Sequence, residues 1–475
     1  MSVDTNVKAS PLSGNGIISE LVSKARVAQK DYEHYSQQRV DEVVSAAGWA
    51  IMQPEHNRTL AEMAVRDTGL GNVDDKILKN YRKTLGLLRD LKNTKTVGII
   101  AEYPERGLVE IARPVGVVAA ITPSTNPAAT PANKVINALK GRNAVIIAPS
   151  PKGLSTCIAL VAYIHVELKK IGAPVDLVQC LPAPITKEAT QELMRQADLV
   201  VATGSQNNIR SAYASGTPAF GVGAGNVASI IDSSANLHEA AQKIASSKTF
   251  DNATSCSSEN SVVVLDSIYD SAIAELIEAG GILLNTEEKS RLQETMWPSG
   301  KLDAAVTAQL APKIAKMAGL AGPSFAGAKF LMVEEVGTGP DYPYSGEKLS
   351  PVLTVYRARD FDHACQIVNA VYSYQGAGHS VGIHTSDDEH VLRLGNELPV
   401  CRVIVNQAHC FATGGSFENG LPFSLSMGCG TWGGNNFSDN MNYKHYLNIT
   451  RIVRRIPERM PSEEEIFGEY LRKYN

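Results

Sequence analysis

No uninterrupted apolar run in the 475 residues approaches the ~20 that a membrane-crossing helix needs. The first stretch, Met1 to Gly16, is polar and lacks the apolar core of a secretion signal. An excess of one charge is also missing. Lys and Arg number 45 against 49 Asp and Glu, a net of −4 without a dense basic cluster, which argues against a nucleic-acid partner. The seven cysteines, at 157, 180, 256, 365, 401, 410 and 429, are odd in number and lack the paired spacing of a zinc site. Neither a disulfide framework nor a resident metal is therefore expected, and free thiols fit the reducing cytoplasm.

What the chain does contain is enough apolar residue, 44%, to bury substantial cores, and its length suggests two or three domains. Helical spacing is expected over 17–53, on the stripe Ile17, Ile18, Leu21, Val22 and Ala25. It is expected again over 74–93, on Ile77, Tyr81, Thr84, Leu85 and Leu88. Neither helix shows obvious chemistry. Two strand-like runs, 97–103 and 107–112, are joined by Pro104-Glu105-Arg106, and a third, Ile449 to Val453, lies near the end. A hairpin is marginal alone and its edges are free, so 97–112 and 449–453 are expected to pair across subunits, hence a homodimer or homotetramer.

From Val115 strands alternate with helices. Strands are expected at 115–121, 143–148, 175–180 and 199–202, with helices near 131–139, up to about Ile171, and at 186–196. That rhythm predicts a parallel, doubly wound sheet, whose ligands bind at the carboxyl ends of the strands. Three turns fall there: Thr122–Pro127, Pro149–Gly153 and Thr203–Gln206. The glycine-rich Gly221-Val222-Gly223-Ala224-Gly225-Asn226 is not read as a dinucleotide fingerprint, because a strand, Val227 to Ile231, follows it where a helix should. It is read as a crossover into a second domain. There the rhythm recurs, with a helix at 267–279, strands at 329–333 and 351–356, a helix at 362–371 and a strand at 402–406. A long loop, 407–440, follows.

The stretch Phe250 to Asn260 stands apart. A helical face of Leu237, Ala240, Ala241, Ile244 and Ala245 runs into it, and the β-branched Val262-Val263-Val264-Leu265 leaves it. Cys256 thus lies in a polar turn among serines and a threonine too small to cover it. The residues alone leave two readings open, a small buried hydrophobe or a nucleophile. A helix carboxyl end opposes a thiolate, so activation would need backbone amides, an amide side chain or a cationic cofactor ring. By the same token Asn126 alone reads as a turn residue before proline, and Glu347 as a solvated loop charge. Cys429, between two glycines, reads as structural.

In chain order, Thr122-Pro123-Ser124-Thr125-Asn126-Pro127, Ala202-Thr203-Gly204-Ser205, Ser255-Cys256-Ser257-Ser258-Glu259, Glu347-Lys348-Leu349-Ser350-Pro351-Val352 and Gly428-Cys429-Gly430-Thr431-Trp432-Gly433-Gly434 resemble the aldehyde dehydrogenase superfamily. They resemble specifically its coenzyme-A-acylating branch, over residues 17 to 456. The resemblance implies an α/β fold of two doubly wound domains with a small β arm. Residues 1–96 and 113–225 would bind the cofactor, 226–430 would form the catalytic domain, and 97–112 with 446–475 the oligomerisation arm. It implies Cys256 as nucleophile, Asn126 as oxyanion donor and Glu347 on the nicotinamide ribose. Thr122, Pro123, Gly204 and Ser205 would lie against the cofactor, and Pro149 and Ser150 at the adenosine ribose.

Two departures from the family pattern matter. Ala148 replaces the lysine common before that proline, and Lys152 could meet a 2′-phosphate, so NAD or NADP is implied. Gly221 stands where hydrolytic members carry a glutamate base, and no acid occurs in 219–226. A thiol needs less help than water, so coenzyme A is the implied acyl acceptor. The runs Pro123 to Pro131 and Lys140 to Ala144 look nearest to members acting on sulfoacetaldehyde. Acetaldehyde, propionaldehyde and succinate semialdehyde remain alternatives, as does acyl-phosphate reduction on the same fold.

Overall fold

The computed structural model describes residues 14–223 and 225–474. The polar segment read at Met1–Gly16 lies almost wholly outside them, as does Ala224. Four helices open the described chain: α1 (Gly14–Tyr32), α2 (Gln37–Met52), α3 (Pro54–Thr68) and α4 (Val73–Leu91). The single helix expected over 17–53 is therefore two. The second starts at Ser36, whose hydroxyl accepts from the Arg39 amide at 3.3 Å and caps it. α3 escaped the periodicity reading because its buried face, Asn57, Leu60, Ala61 and Ala64, is barely apolar.

α4 corrects the sequence reading more deeply. The expected apolar stripe is largely outside, with Tyr81 and Leu85 exposed. Of that stripe only Thr84 is buried; Lys76, Lys79 and Asn80 are buried in place of the others, alongside Leu87 and Leu91. Periodicity assumes that the inward face meets a hydrophobic core, whereas this face meets a polar site.

A first sheet is built from β3 (Val117–Thr122), α5 (Ala129–Lys140), β4 (Ala144–Pro149), α6 (Leu154–Lys170), β5 (Val178–Cys180), α7 (Lys187–Gln196), β6 (Leu199–Thr203), α8 (Gln206–Tyr213) and β7 (Ala219–Val222). Its strands are all parallel, in the order β5-β4-β3-β6-β7. Every residue of β3 and β4 is buried, as helices on both faces require. The chain then crosses over, through the glycine-rich segment, into β8 (Val227–Ile231), α9 (Leu237–Thr249) and β9 (Glu259–Leu265). With β10 (Gly281–Leu283), β11 (Phe330–Glu334), β12 (Val352–Ala358), β13 (Val381–His384) and β14 (Val403–Val405) these form a second parallel sheet, ordered β10-β11-β12-β9-β8-β13-β14.

The third sheet is antiparallel. β1 (Gly98–Tyr103) pairs with β2 (Leu108–Pro114) across the turn Pro104–Arg106, and β15 (Leu447–Val453) pairs with the other edge of β2. The expectation that 449–453 pairs across subunits is thus corrected. Its register runs from Leu447 opposite Pro114 to Val453 opposite Leu108 in the same chain. The Asn143 side-chain amide helps set it by donating to the Tyr446 carbonyl at 2.8 Å. The outer edges of β1 and β15 stay open among the described residues.

Candidate active site

Between α9 and β9 the backbone is forced into an unusual path. Asp251, Asn252 and Ala253 follow one another at φ of 50, 51 and 59°. Each costs about 1–2 kcal/mol for a residue with a β-carbon. The buried Asp251 carboxylate holds the turn: it accepts from Lys76 Nζ at 3.0 Å, Lys79 Nζ at 2.5 Å, Thr254 Oγ1 at 2.6 Å and the Asn72 amide at 3.0 Å. Burial alone would raise its pKa, and the two lysines overcome that to hold it below the ordinary 3.8. The strained turn therefore hangs on the polar face of α4.

Three residues beyond that turn, Cys256 is half-buried, with Sγ 3.6 Å from His379 Nε2. The histidine continues a chain of polar groups. His379 Nδ1 lies 2.7 Å from Ser380 Oγ, and that hydroxyl lies 2.8 Å from His409 Nε2. Burial, with the nearby Glu347 charge, pushes the Cys256 thiol up to about 11. Burial, with Arg402, pushes the His379 imidazole down to about 3. At neutral pH the proton is on sulfur and the ring is uncharged. For Nε2 to accept that proton, Nδ1 must carry the ring's own hydrogen and donate it to Ser380. Arg402 ties the surrounding loop together by donating to the carbonyls of His379, Gly428 and Ser438 at 3.2, 2.9 and 3.1 Å. Gly225 is required by closeness: a β-carbon there would strike the Cys256 carbonyl oxygen and lie 3.1 Å from His379 Cδ2.

Asn126 is fixed from the α4 side. Its Oδ1 accepts from Lys79 Nζ at 2.8 Å. A lysine can only donate, so the oxygen faces it and the amide N–H₂ is left for another partner. The other turns converge as well. Thr122 pairs with Pro149 in the sheet register, and its carbonyl accepts from the Ser150 amide at 3.0 Å. A β-carbon on Gly204, whose φ is 151°, would lie 3.9 Å from Pro123 Cβ. Ser205 caps α8. Thr122, Pro123, Pro149, Ser150, Gly204 and Ser205 thus gather at the carboxyl ends of β3, β4 and β6, with Lys152 exposed just beyond. Glu347, in the loop before β12, lies near Gly225 and Cys256. Burial raises its carboxyl to about 8, opposed by the Gly225 amide and Lys248.

A nicotinamide nucleotide fits this crevice. The Thr122 hydroxyl is buried without a partner, a β-carbon at Gly204 would meet nothing nearer than 3.6 Å, and the Glu347 carboxyl is held near the Gly225 amide. An open cleft beside it is lined by Gln206, Gly223, Gly376, Ala377 and Cys429. Cys429 is buried, which together with the Cys256 charge raises its thiol to about 12, in keeping with a structural residue. All seven cysteines are free, and the described residues hold no metal-binding cluster.

Sequence reasoning missed Lys76 and Lys79, whose burial no local pattern announces. His379 also went unread. Its signal, a histidine behind the glycines of Gly376-Ala377-Gly378, is faint without knowing what those glycines approach.

Residues 4–287 match the family model described as the aldehyde dehydrogenase family. The chain belongs to the aldehyde dehydrogenase family. It is 64% identical over 453 residues to sulfoacetaldehyde dehydrogenase (acylating) of Cupriavidus necator, covering 95% of this chain and 92% of that one. It is 40% identical to succinate-semialdehyde dehydrogenase (acetylating) of Clostridium kluyveri, over 96% of this chain and all of the other. The crystal structure of an acetylating aldehyde dehydrogenase from Geobacillus thermoglucosidasius superposes with a TM-score of 0.90 at 37% identity, covering 95% and 98% of the two chains. This dehydrogenase is thus a member of the acylating branch.

In the dehydrogenase, Gly221 lies on β7, and a β-carbon there would meet Ile209 Cγ2 at 2.6 Å and the Tyr213 ring at 3.3 Å. The obstacle to a side chain is this packing, because the backbone is not left-handed there. Among the described residues no carboxylate is hydrogen-bonded to Cys256 or His379.

Proposed function

We propose that the dehydrogenase oxidises sulfoacetaldehyde to sulfoacetyl-coenzyme A, with Cys256 as nucleophile and coenzyme A as acyl acceptor. His379 Nε2 takes the thiol proton as Sγ attacks the aldehyde carbon. The Asn126 side-chain amide, turned by Lys79, and the Cys256 backbone N–H stabilise the oxyanion of the thiohemiacetal. Thr122, Pro123, Gly204, Ser205 and Glu347 hold the nicotinamide half of the cofactor, and Pro149, Ser150 and Lys152 the adenosine half. When bound, the nicotinamide supplies the two-electron acceptor that turns the thiohemiacetal into a thioester. Lys152, exposed and basic at the adenosine end, suits the 2′-phosphate of NADP as well as it tolerates NAD. The sulfonate is favoured by the 64% identity to a sulfoacetaldehyde dehydrogenase, and free thiols agree with a cytoplasmic enzyme.

The observation that carries coenzyme A as acceptor is the environment of Cys256. Its neighbour is an imidazole, and the site where a carboxylate base would stand is a glycine packed against Ile209 and Tyr213. Rapid mixing with aldehyde and NAD or NADP, without coenzyme A, should give a burst of reduced cofactor equal to the enzyme and then a stall. Adding coenzyme A should restore turnover and yield acyl-coenzyme A. Free acid released at the same rate with or without coenzyme A refutes the acylating assignment.

A further inference from the structure

A small cavity ends on Asn126 and Ser255, the residue before the nucleophile. One face of α4 supplies Lys79, Arg82 and Lys83 to its lining, at the i, i+3, i+4 spacing of a single helical stripe. The rest of the wall includes Phe250, Phe411 and Phe423, and no Asp or Glu. Lys79 is committed to Asp251 and Asn126. The other two cations have no carboxylate in ion-pair range among the described residues. Lys83 donates to the Gly414 and Gly415 carbonyls at 3.0 and 3.1 Å, and Arg82 stacks over Phe411 and Phe417 at 5.9 and 5.2 Å. Glu418 borders an outer cleft that Arg82 shares, yet it is exposed and does not pair with it.

Two cations set side by side against aromatic walls, with no counter-ion, make an unfavourable arrangement that a bound anion relieves. The Lys83 ammonium registers this. Burial, and then Arg82 and Lys79 against an opposing contribution from Cys410, bring it down to about 8. An aldehyde carrying a strong anion also fits the distance to the reacting atoms. Lys79, which orients Asn126, and Lys83 are one helical turn apart, about 6 Å along the axis, which suits a short substrate.

We propose that Arg82 and Lys83 form an anion subsite that seats the sulfonate of a short aldehyde, with its carbonyl end toward Asn126 and Cys256. The identity of the anion as a sulfonate rests on the sulfoacetaldehyde reading. The subsite itself rests on the uncompensated cations.

The probe is ethanesulfonate, which carries the anion and no aldehyde, tested as an inhibitor of propanal oxidation. It should compete with propanal and not with coenzyme A. Its inhibition constant should rise about 10- to 100-fold in Arg82→Gln, the loss of one charge-assisted hydrogen bond. Arg82→Lys should recover part of that loss. The ratio of kcat/KM for sulfoacetaldehyde to that for propanal should fall by a similar factor in Arg82→Gln. Lys83→Met is the second variant, because Lys83 also braces the Gly414–Gly415 loop while Arg82 makes no such bond. The subsite is overturned if ethanesulfonate fails to compete with propanal in the natural enzyme, or if both variants keep its inhibition constant. If ethanesulfonate competes through Arg82 but the natural enzyme prefers propanal to sulfoacetaldehyde, the subsite stands and the sulfoacetaldehyde reading falls.

Discussion

Replacing Asp251 by asparagine is nearly isosteric and removes the one negative charge that Lys76 and Lys79 share. Those ammonium groups lie 3.0 and 2.5 Å from it, with side chains only 4 and 6% exposed, so water cannot take its place. Breaking a buried ion pair from one side costs about 3–5 kcal/mol, and two stranded lysines put this variant at the upper end. The strained run Asp251–Ala253 loses its main restraint at the same time. Because the carboxyl's folded-state pKa is depressed, its contribution to stability is complete above the ordinary 3.8 and is lost only as pH falls through the lower folded value. Asp251 itself stays ionised from pH 6 to 8, but Lys76, which burial brings down to about 8 and Asp251 raises, gives up its proton more readily in the variant, so the difference should narrow as pH rises toward 8. Urea unfolding at pH 7, followed by intrinsic fluorescence, should show a lower midpoint for Asp251→Asn. Steady-state assays under conditions where the variant is still folded should show kcat reduced about tenfold or more, because Asn126 depends on Lys79 and a lost oxyanion donor costs about 100- to 1,000-fold. An unchanged midpoint, or a destabilised variant whose folded fraction keeps full kcat, refutes the chain of support from α4 to Asn126.

The Cys256 thiol, raised to about 11, should be alkylated by iodoacetamide at a rate that keeps climbing from pH 7 to 10, as followed by mass spectrometry of its peptide; a plateau below pH 8 contradicts the burial argument. His379→Gln should lower kcat about 100- to 10,000-fold while leaving that rising limb in place, because the imidazole acts on the proton in the reaction and not on the resting charge. Removing 457–475 deletes the helix Glu463–Tyr474, which exposes Ile466, Phe467, Tyr470 and Leu471, and should lower the mass seen in light scattering; an unchanged mass refutes association through this helix.

The α/β architecture was legible because strands buried on both faces announce themselves. Val117–Thr122, Ala144–Pro149 and Val227–Ile231 are runs of small and β-branched residues that no solvent-facing element would carry. The turn holding Cys256 was legible for the related reason that a helical stripe stops and a β-branched run starts around it. What stayed hidden was whatever depends on a partner distant in the chain. Lys79 reads as a solvated charge until Asp251, 172 residues on, is placed against it. His379 acquires a role only when the crossover at Gly225 lets Cys256 approach it. The third sheet failed in the other direction. Its edges were correctly seen as unpaired locally, and the partner, Leu447–Val453, came from the same chain.

The same geometry bears on why a site without a carboxylate base would favour a thiol over water. In the proposed reaction His379 is the group in position to take a proton in both halves, first from Cys256 and then from the incoming acceptor. A depressed imidazole is a weak base, and whatever its own value, the choice between acceptors depends on how readily each gives up a proton. A thiol ionises near 8.5 and water near 15.7, a gap of about seven units or about 10 kcal/mol. A strong base held close to the thioester would offset that gap by activating a water. The neutral His379–Ser380–His409 chain offers only modest basicity, and the Gly221 position has no room to supply more. Discrimination against hydrolysis then follows from the chemistry of the acceptor itself. On this argument a second small thiol, such as cysteamine at high concentration, should also discharge the acyl-enzyme, more slowly than coenzyme A for want of binding. Release of free acid outpacing transfer to cysteamine would show that the site activates water after all.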